Sequence, residues 1–236
     1  MILRLTAAVF LVVSALVFIR PDPVEAWSSD DRAVAVFGHG ASPHPYSVVV
    51  DSSGNIYTTG TFGTAGSGNE TVDFDPGPGT ANLTPNGHYD AFVSKLDSSG
   101  NLVWAKSFGG NKEEKSVSVA VDSSGNVYTT GWFRAAGDFD PGPGTTNLTP
   151  ISGDADFTTD IFVSKLDSSG NLVWAKNFGA VIGSVGFSNT RSTAMVVDSS
   201  DNIYITGSSI GTVDFDPGPG TANFTVVDGN DKTFVL

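Results

Sequence analysis

Three blocks of the sequence carry the residue types best suited to holding an ion. Asp73-Phe-Asp-Pro-Gly-Pro-Gly-Thr80 recurs as Asp138 to Thr145 and as Asp214 to Thr221. Each block sets two carboxylates two residues apart in a Pro/Gly loop. Hard cations such as Ca²⁺ take several oxygens, from carboxylates and from loop carbonyls. Asp73 with Asp75, Asp138 with Asp140, and Asp214 with Asp216 are therefore the candidate calcium ligands. The block lacks the third carboxylate and the closing glutamate of an EF-hand loop. Its other reading is mechanical: Pro fixes φ, Gly allows positive φ, Asp caps its own backbone, and the intervening Phe plugs a core. A rigid turn is the commoner use of such residues.

The remaining candidates are weaker. Asp-Ser-Ser-x-Asn occurs five times, starting at Asp51, Asp97, Asp122, Asp167 and Asp198. Its oxygens would suit an ion, but these residue types belong to hairpin turns. Trp104 and Trp174 recur in phase with Lys106 and Lys176. An exposed aromatic row binds sugar, whereas packing between repeat units is the commoner use. His39, His44 and His88 do not recur, and His39 aligns with Gly110 and Ala180. One site made from His39, His44 and Asp51 is the remaining catalytic arrangement. There is no HExxH pair, no GxSxG elbow, and no P-loop or GxGxxG in a strand–helix setting, so an enzyme is not expected. Glu113 and Glu114, beside Lys112 and Lys115, read as a solvated loop. Asn69-Glu-Thr71, Asn82-Leu-Thr84, Asn147-Leu-Thr149 and Asn223-Phe-Thr225 match the glycosylation sequon. The last three share one phase of a repeat, which marks a shared strand or loop sequence, and modification is not expected.

The elements that position these residues follow from that repeat. Asp51-Ser-Ser-Gly-Asn-Ile-Tyr-Thr-Thr-Gly60 returns at Asp122 and at Asp198, spacings of 71 and 76 residues. Phe92-Val-Ser-Lys-Leu-Asp-Ser-Ser-Gly-Asn-Leu-Val-Trp-Ala-Lys106 returns 70 residues later, from Phe162. Each unit predicts four strands, for which 117–121, 126–132, 161–166 and 172–178 serve as the pattern. All are rich in β-branched and aromatic residues and bounded by turn residues. No stretch after the N-terminal segment shows helical periodicity with caps. Asp suits the first position of each turn, and Gly supplies its positive φ. In the fifth copy Asp201 replaces Gly, at some strain. Each unit is thus two hairpins joined by a long connection.

A four-stranded antiparallel unit in tandem is the mark of β-propeller blades. The two longer blocks together resemble the SBBP repeat of bacterial β-propeller proteins, and the resemblance covers nearly all of 33–236. It implies blades in exported, often very large proteins, with no common catalytic residues. The expected fold is all-β, with about three propeller-type blades of four antiparallel strands, in units near 33–96, 97–166 and 167–236. Ala33 to Gly38 aligns with the fourth strand at Trp104 to Gly109, and Lys232 to Leu236 with the third at Asp90 to Ser94. Propellers have roughly four to eight blades. Either the chain is a piece of a longer propeller, or copies associate through open blade edges, for example two into a six-bladed ring.

Residues 1–26 predict a secretory signal peptide: Arg4, an apolar run from Leu5 to Ile19, and a Val24-Glu25-Ala26 cleavage pattern. The run is shorter than the ~20 residues of a membrane span, so no insertion is expected after cleavage. An uncleaved N-terminal anchor is the alternative. The segment is neutral, so 27–236 keeps the whole net charge of −13. That charge argues against a nucleic-acid partner, since phosphate binding needs a Lys/Arg field. With no cysteine, stability must come from core burial or metal. The expected function is a non-catalytic exported scaffold, binding a protein or glycan at the cell surface or outside the cell. The alternatives are a propeller-type polysaccharide hydrolase or lyase, and a Ca²⁺-stabilised segment of a larger surface protein.

Overall fold

Each tight hairpin is made by an aspartate that bonds its own loop. Asp51 Oδ1 accepts the N–H groups of Ser53 and Asn55, both at 2.9 Å, and Asp51 Oδ2 accepts Asn55 Nδ2 at 2.8 Å. The same bonds form at Asp97, Asp122, Asp167 and Asp198. The fourth residue of each turn is left-handed: φ is 80° at Gly54, 84° at Gly100, 79° at Gly125, 82° at Gly170 and 63° at Asp201. The expected turn chemistry therefore holds in all five copies. Asp201 is the one non-glycine at positive φ among the described residues.

The computed structural model describes residues 43–64, 71–151, 153, 158–181, 189–218, 220–226 and 232–236. All belong to one unit, Ala35–Leu236. The expected signal peptide, the strand at 33–38, His39 and the sequon at Asn69 lie outside the described residues. The first repeat holds β1 (His44–Val50), β2 (Ile56–Gly63), β3 (Val72–Asp73), β4 (Asn82–Leu83), β5 (Tyr89–Leu96) and β6 (Leu102–Gly110). The second holds β7 (Glu114–Val121), β8 (Val127–Phe133), β9 (Gly137–Asp138), β10 (Asn147–Leu148), β11 (Asp160–Leu166) and β12 (Leu172–Val181). The third holds β13 (Arg191–Val197), β14 (Ile203–Ser209), β15 (Gly211–Asp214), β16 (Asn223–Val226) and β17 (Lys232–Val235). No helix occurs among the described residues.

The strands form three antiparallel blades, ordered β1-β2-β5-β6, β7-β8-β11-β12 and β13-β14-β17. Each first strand carries a one-residue bulge at the same phase, between Pro45 and Ser47, Ser116 and Ser118, and Ser192 and Ala194. The Thr-Gly of each second strand faces it. A Cβ at Gly60, Gly131 or Gly207 would collide with the backbone oxygen of His44, Lys115 or Arg191.

The long connection was expected to be loop, but in each repeat it forms a two-stranded insert. β9 pairs with β6 of the preceding blade, Gly109 opposite Asp138, and β15 pairs likewise with β12. The second and third inserts thus extend one blade's outer strand with residues of the next. A single blade has no second layer to bury it, so the core lies between blades. Tyr57, Trp104, Phe108, Phe133, Phe139, Phe162 and Leu166 fill the space between blades 1 and 2. Tyr128, Ile161, Phe178, Met195, Ile205 and Phe234 do so between blades 2 and 3.

Candidate functional site

The Asp-Phe-Asp-Pro-Gly-Pro-Gly blocks close the three inserts. Asp138 Oδ1 accepts the N–H groups of Asp140 at 3.0 Å and Thr146 at 2.8 Å, and Asp140 Oδ1 accepts Gly142 N–H at 2.8 Å. Asp73 with Asp75 and Asp214 with Asp216 repeat the pattern. The backbone donors of Ala222 and Asp216 hold the Asp214 carboxyl below its ordinary value. A Cβ at Gly79, Gly144 or Gly220 would strike the second carboxylate of its loop, which explains the glycine there. Phe139 is fully buried, its ring centre 5.0 Å from Phe162, 5.3 Å from Phe133 and 5.5 Å from Phe108. Phe74 packs likewise on Phe62 and Phe92, and Phe215 on Phe234. This is the geometry of the rigid turn with its aromatic plug. No group of three or more His, Cys, Asp or Glu suited to a metal occurs among the described residues. The sequon phase is explained too: Asn82, Asn147 and Asn223 are strand residues opposite Asp73, Asp138 and Asp214.

Between the turn ends of blades 1 and 2 lies a polar cleft of about 520 Å³, lined by Asp51, Ser53, Lys95, Asp122, Ser124 and Ser168 among others. Lys95 Nζ and Trp104 Nε1 both donate across the junction to the Ser168 carbonyl, at 3.3 and 3.2 Å. Burial alone would raise the Asp51 carboxyl. Bonds from Asn55, Tyr57 and Ser53 outweigh it and hold the group below its ordinary value. Asp122 is lowered in the same way by Asn126, Tyr128 and Ser124. Trp104 is buried in the core between blades 1 and 2, its ring edge on Tyr57 of its own blade. Half-buried Trp174 packs against the core between blades 2 and 3, meeting Tyr128 of its own blade. The tryptophans are inter-blade packing.

His44 and Asp51 stand at opposite ends of β1, so they do not form a site with each other. His88 lies in the turn before β5. The solvated-loop reading of Glu113 and Glu114 fails for Glu114, which opens β7 and is 0 % exposed. Glu113 alone behaves as a surface acid, paired with Lys115 at 3.0 Å and Arg134 at 3.4 Å. Glu114 instead meets Asp90, also 0 % exposed, across the junction of blades 1 and 2. Burial pushes Glu114 up to about 8, helped by the negative charges of Asp90 and Glu113, and pushes Asp90 up to about 6. Sequence reasoning missed this pair. The available signal was phase: Glu114 aligns with Thr190, at the mouth of a strand rather than in a loop.

No family model matches the chain. It is similar to an uncharacterized WD repeat-containing protein of Acanthamoeba polyphaga mimivirus, 30% identical over 195 residues, covering 76% of this chain and 13% of that protein. It is also similar to the regulatory protein FlaEY of Caulobacter vibrioides, 28% identical over 176 residues, covering 73% of this chain and 16% of that protein. The chain thus spans less than a fifth of either curated relative. With its stacked antiparallel blades, it is an all-β repeat protein of β-propeller-like fold.

Proposed function

We propose that this chain is a non-catalytic, exported binding scaffold of the SBBP type, taking a protein or glycan ligand in the cleft between the turn ends of blades 1 and 2. The cleft itself carries the reading: it is open, hydroxyl-rich and built on rigid hairpins. Its hydroxyls, amides and one lysine are suited to hydrogen bonding a polar ligand. The two aspartates are unsuited to proton transfer near neutrality, because turn donors hold both carboxyls low. The similarity to a WD repeat-containing protein and to a regulatory protein accords with a role in binding. Export rests on the N-terminal segment, 1–26.

Screening the purified chain on glycan arrays and peptide displays tests the reading, with Ser124→Trp as the blocking variant. Ser124 is exposed in its turn, so the indole fills the cleft without touching the core. A ligand held by the wild type and lost by Ser124→Trp is the expected result. Turnover of a polysaccharide, or binding indifferent to the variant, would overturn it.

A further inference from the structure

We propose that Asp90 and Glu114 bind a hard divalent cation, Ca²⁺ by its oxygen chemistry, which fastens blade 1 to blade 2. Both side chains are fully buried. They converge over Gly109 of β6: the position a Cβ would take there is 2.6 Å from Glu114 Oε2 and 3.1 Å from Asp90 Oδ1. Half of each carboxylate is used, since Asn86 N–H donates to Asp90 Oδ2 at 3.1 Å and Gly110 N–H to Glu114 Oε2 at 2.9 Å. The other oxygens, Asp90 Oδ1 and Glu114 Oε1, have no hydrogen-bond partner among the described residues.

Two buried carboxylates with unused oxygens need positive charge, because an uncompensated buried ion is costly. The charges that act on Glu114 are those of Asp90 and Glu113, both negative. An oxygen-only donor set suits a hard cation, which completes its shell with carbonyls and water. The corner is lined by glycine, and the Ala136 carbonyl packs against Gly110, whose N–H holds Glu114.

The arrangement is not a property of the repeat. At the junction of blades 2 and 3, Asp160 lies over Gly179 as Asp90 lies over Gly109. There Thr190 stands in place of Glu114, with its hydroxyl 2.9 Å from Ser209 Oγ. The second carboxylate is found only at the first of these two junctions. The Pro/Gly loops differ again in burial: backbone N–H groups hold one oxygen of each aspartate, and these half-buried carboxylates are open to water, unlike Asp90 and Glu114. The unmet oxygens point to the junction, not the loops, as the place for a cation.

The test is thermal melting of the full chain at pH 7 in EDTA and then in millimolar CaCl₂, with bound metal counted by native mass spectrometry. If the CaCl₂ stands about a hundredfold or more above its Kd, the melting temperature is expected to rise by about 5 to 10 °C. Glu114→Gln should abolish that rise and the bound ion, while Asp75→Asn keeps both. Should Glu114→Gln fail to fold, Glu114→Thr, which installs the side chain found at position 190, serves in its place. Wild-type protein with no metal and no CaCl₂ response would overturn the proposal and leave a shared proton as the neutralising charge. A response that survives in the Glu114 variants but is lost in Asp75→Asn would overturn it in favour of the loops.

Discussion

The two blade junctions are built from one repeat yet differ in chemistry. Between blades 1 and 2 the aromatic core is continuous, and the surface above it is a polar cleft. Between blades 2 and 3 lies an apolar pocket of about 270 Å³, lined by Trp174, Phe178, Ile203, Ile205 and Phe215 among others. Thr129 of blade 2 bonds Ser164 at 2.7 Å, while Ile205 occupies its phase in blade 3. The buried acid pair belongs to the first junction alone. Turns, bulges and Thr-Gly contacts recur in every blade and set the backbone. The residues between blades are free to vary, and they decide how firmly each junction holds.

The sharpest way to break this comparison is to remove the aromatic plug from each junction. Phe139→Ala takes away a fully buried ring packed on Phe108, Phe133 and Phe162, and should cost about 3–5 kcal/mol. Phe215 is only half-buried and meets Phe234 at 4.8 Å, and Ser209 stands at the phase of Phe133, so Phe215→Ala should cost about 2 kcal/mol or less. Denaturant midpoints of the two variants measure the difference. Equal losses would mean that the junctions are energetically alike, whatever their geometry.

Acid–base titration separates the junctions more gently. In EDTA, folded Glu114 holds its proton up to about pH 8, whereas the unfolded chain releases it near 4.5. Between those values the folded state binds the extra proton, so this group's contribution is complete at low pH and lost as pH rises through that window. Asp90 acts in the same direction between 3.8 and about 6. The turn aspartates, whose carboxyls are held low, act in the opposite direction and withdraw their support as pH falls below the ordinary aspartate range. Stability in EDTA, read as melting temperature, should therefore decline from about pH 5 to 8, by at most about 1.4 kcal/mol per pH unit for Glu114, with Asp90 adding to the slope only below about pH 6. Glu114→Gln should flatten the decline. A wild-type profile already flat across this window would show that the pair is not buried as an acid.

Much of this was legible in the sequence. The repeat announced four strands per blade, the turn residues announced their φ angles, and the Phe of each Asp-Phe-Asp block announced a plug. The pairing of the second and third inserts with the preceding blades was not legible. β9 has two residues and no periodicity, and its partner, β6, is defined only once the blades stack. Glu114 was hidden for a related reason. Lys-Glu-Glu-Lys looks like a solvated run, and the partner that changes its meaning, Asp90, lies 24 residues upstream across a junction.

The smallest effect isolates a single turn. Asp201 occupies, at φ 63°, the place that Gly54 and Gly125 hold in the other first hairpins. A left-handed conformation costs a non-glycine residue about 1 kcal/mol, and Asp is among the residues that bear it best. Asp201 also attracts Lys165 across the junction, a contact glycine would lose. An exposed pair of that kind is worth about 0–1 kcal/mol. Relief of strain should narrowly win, so Asp201→Gly is expected to raise the melting temperature by about 1–2 °C. The reverse change, Gly125→Asp, should lower it, because φ there is 79° and strains any side chain. If Asp201→Gly destabilises instead, the Lys165 attraction outweighs the strain, and charge across the junction helps hold the third blade to the second.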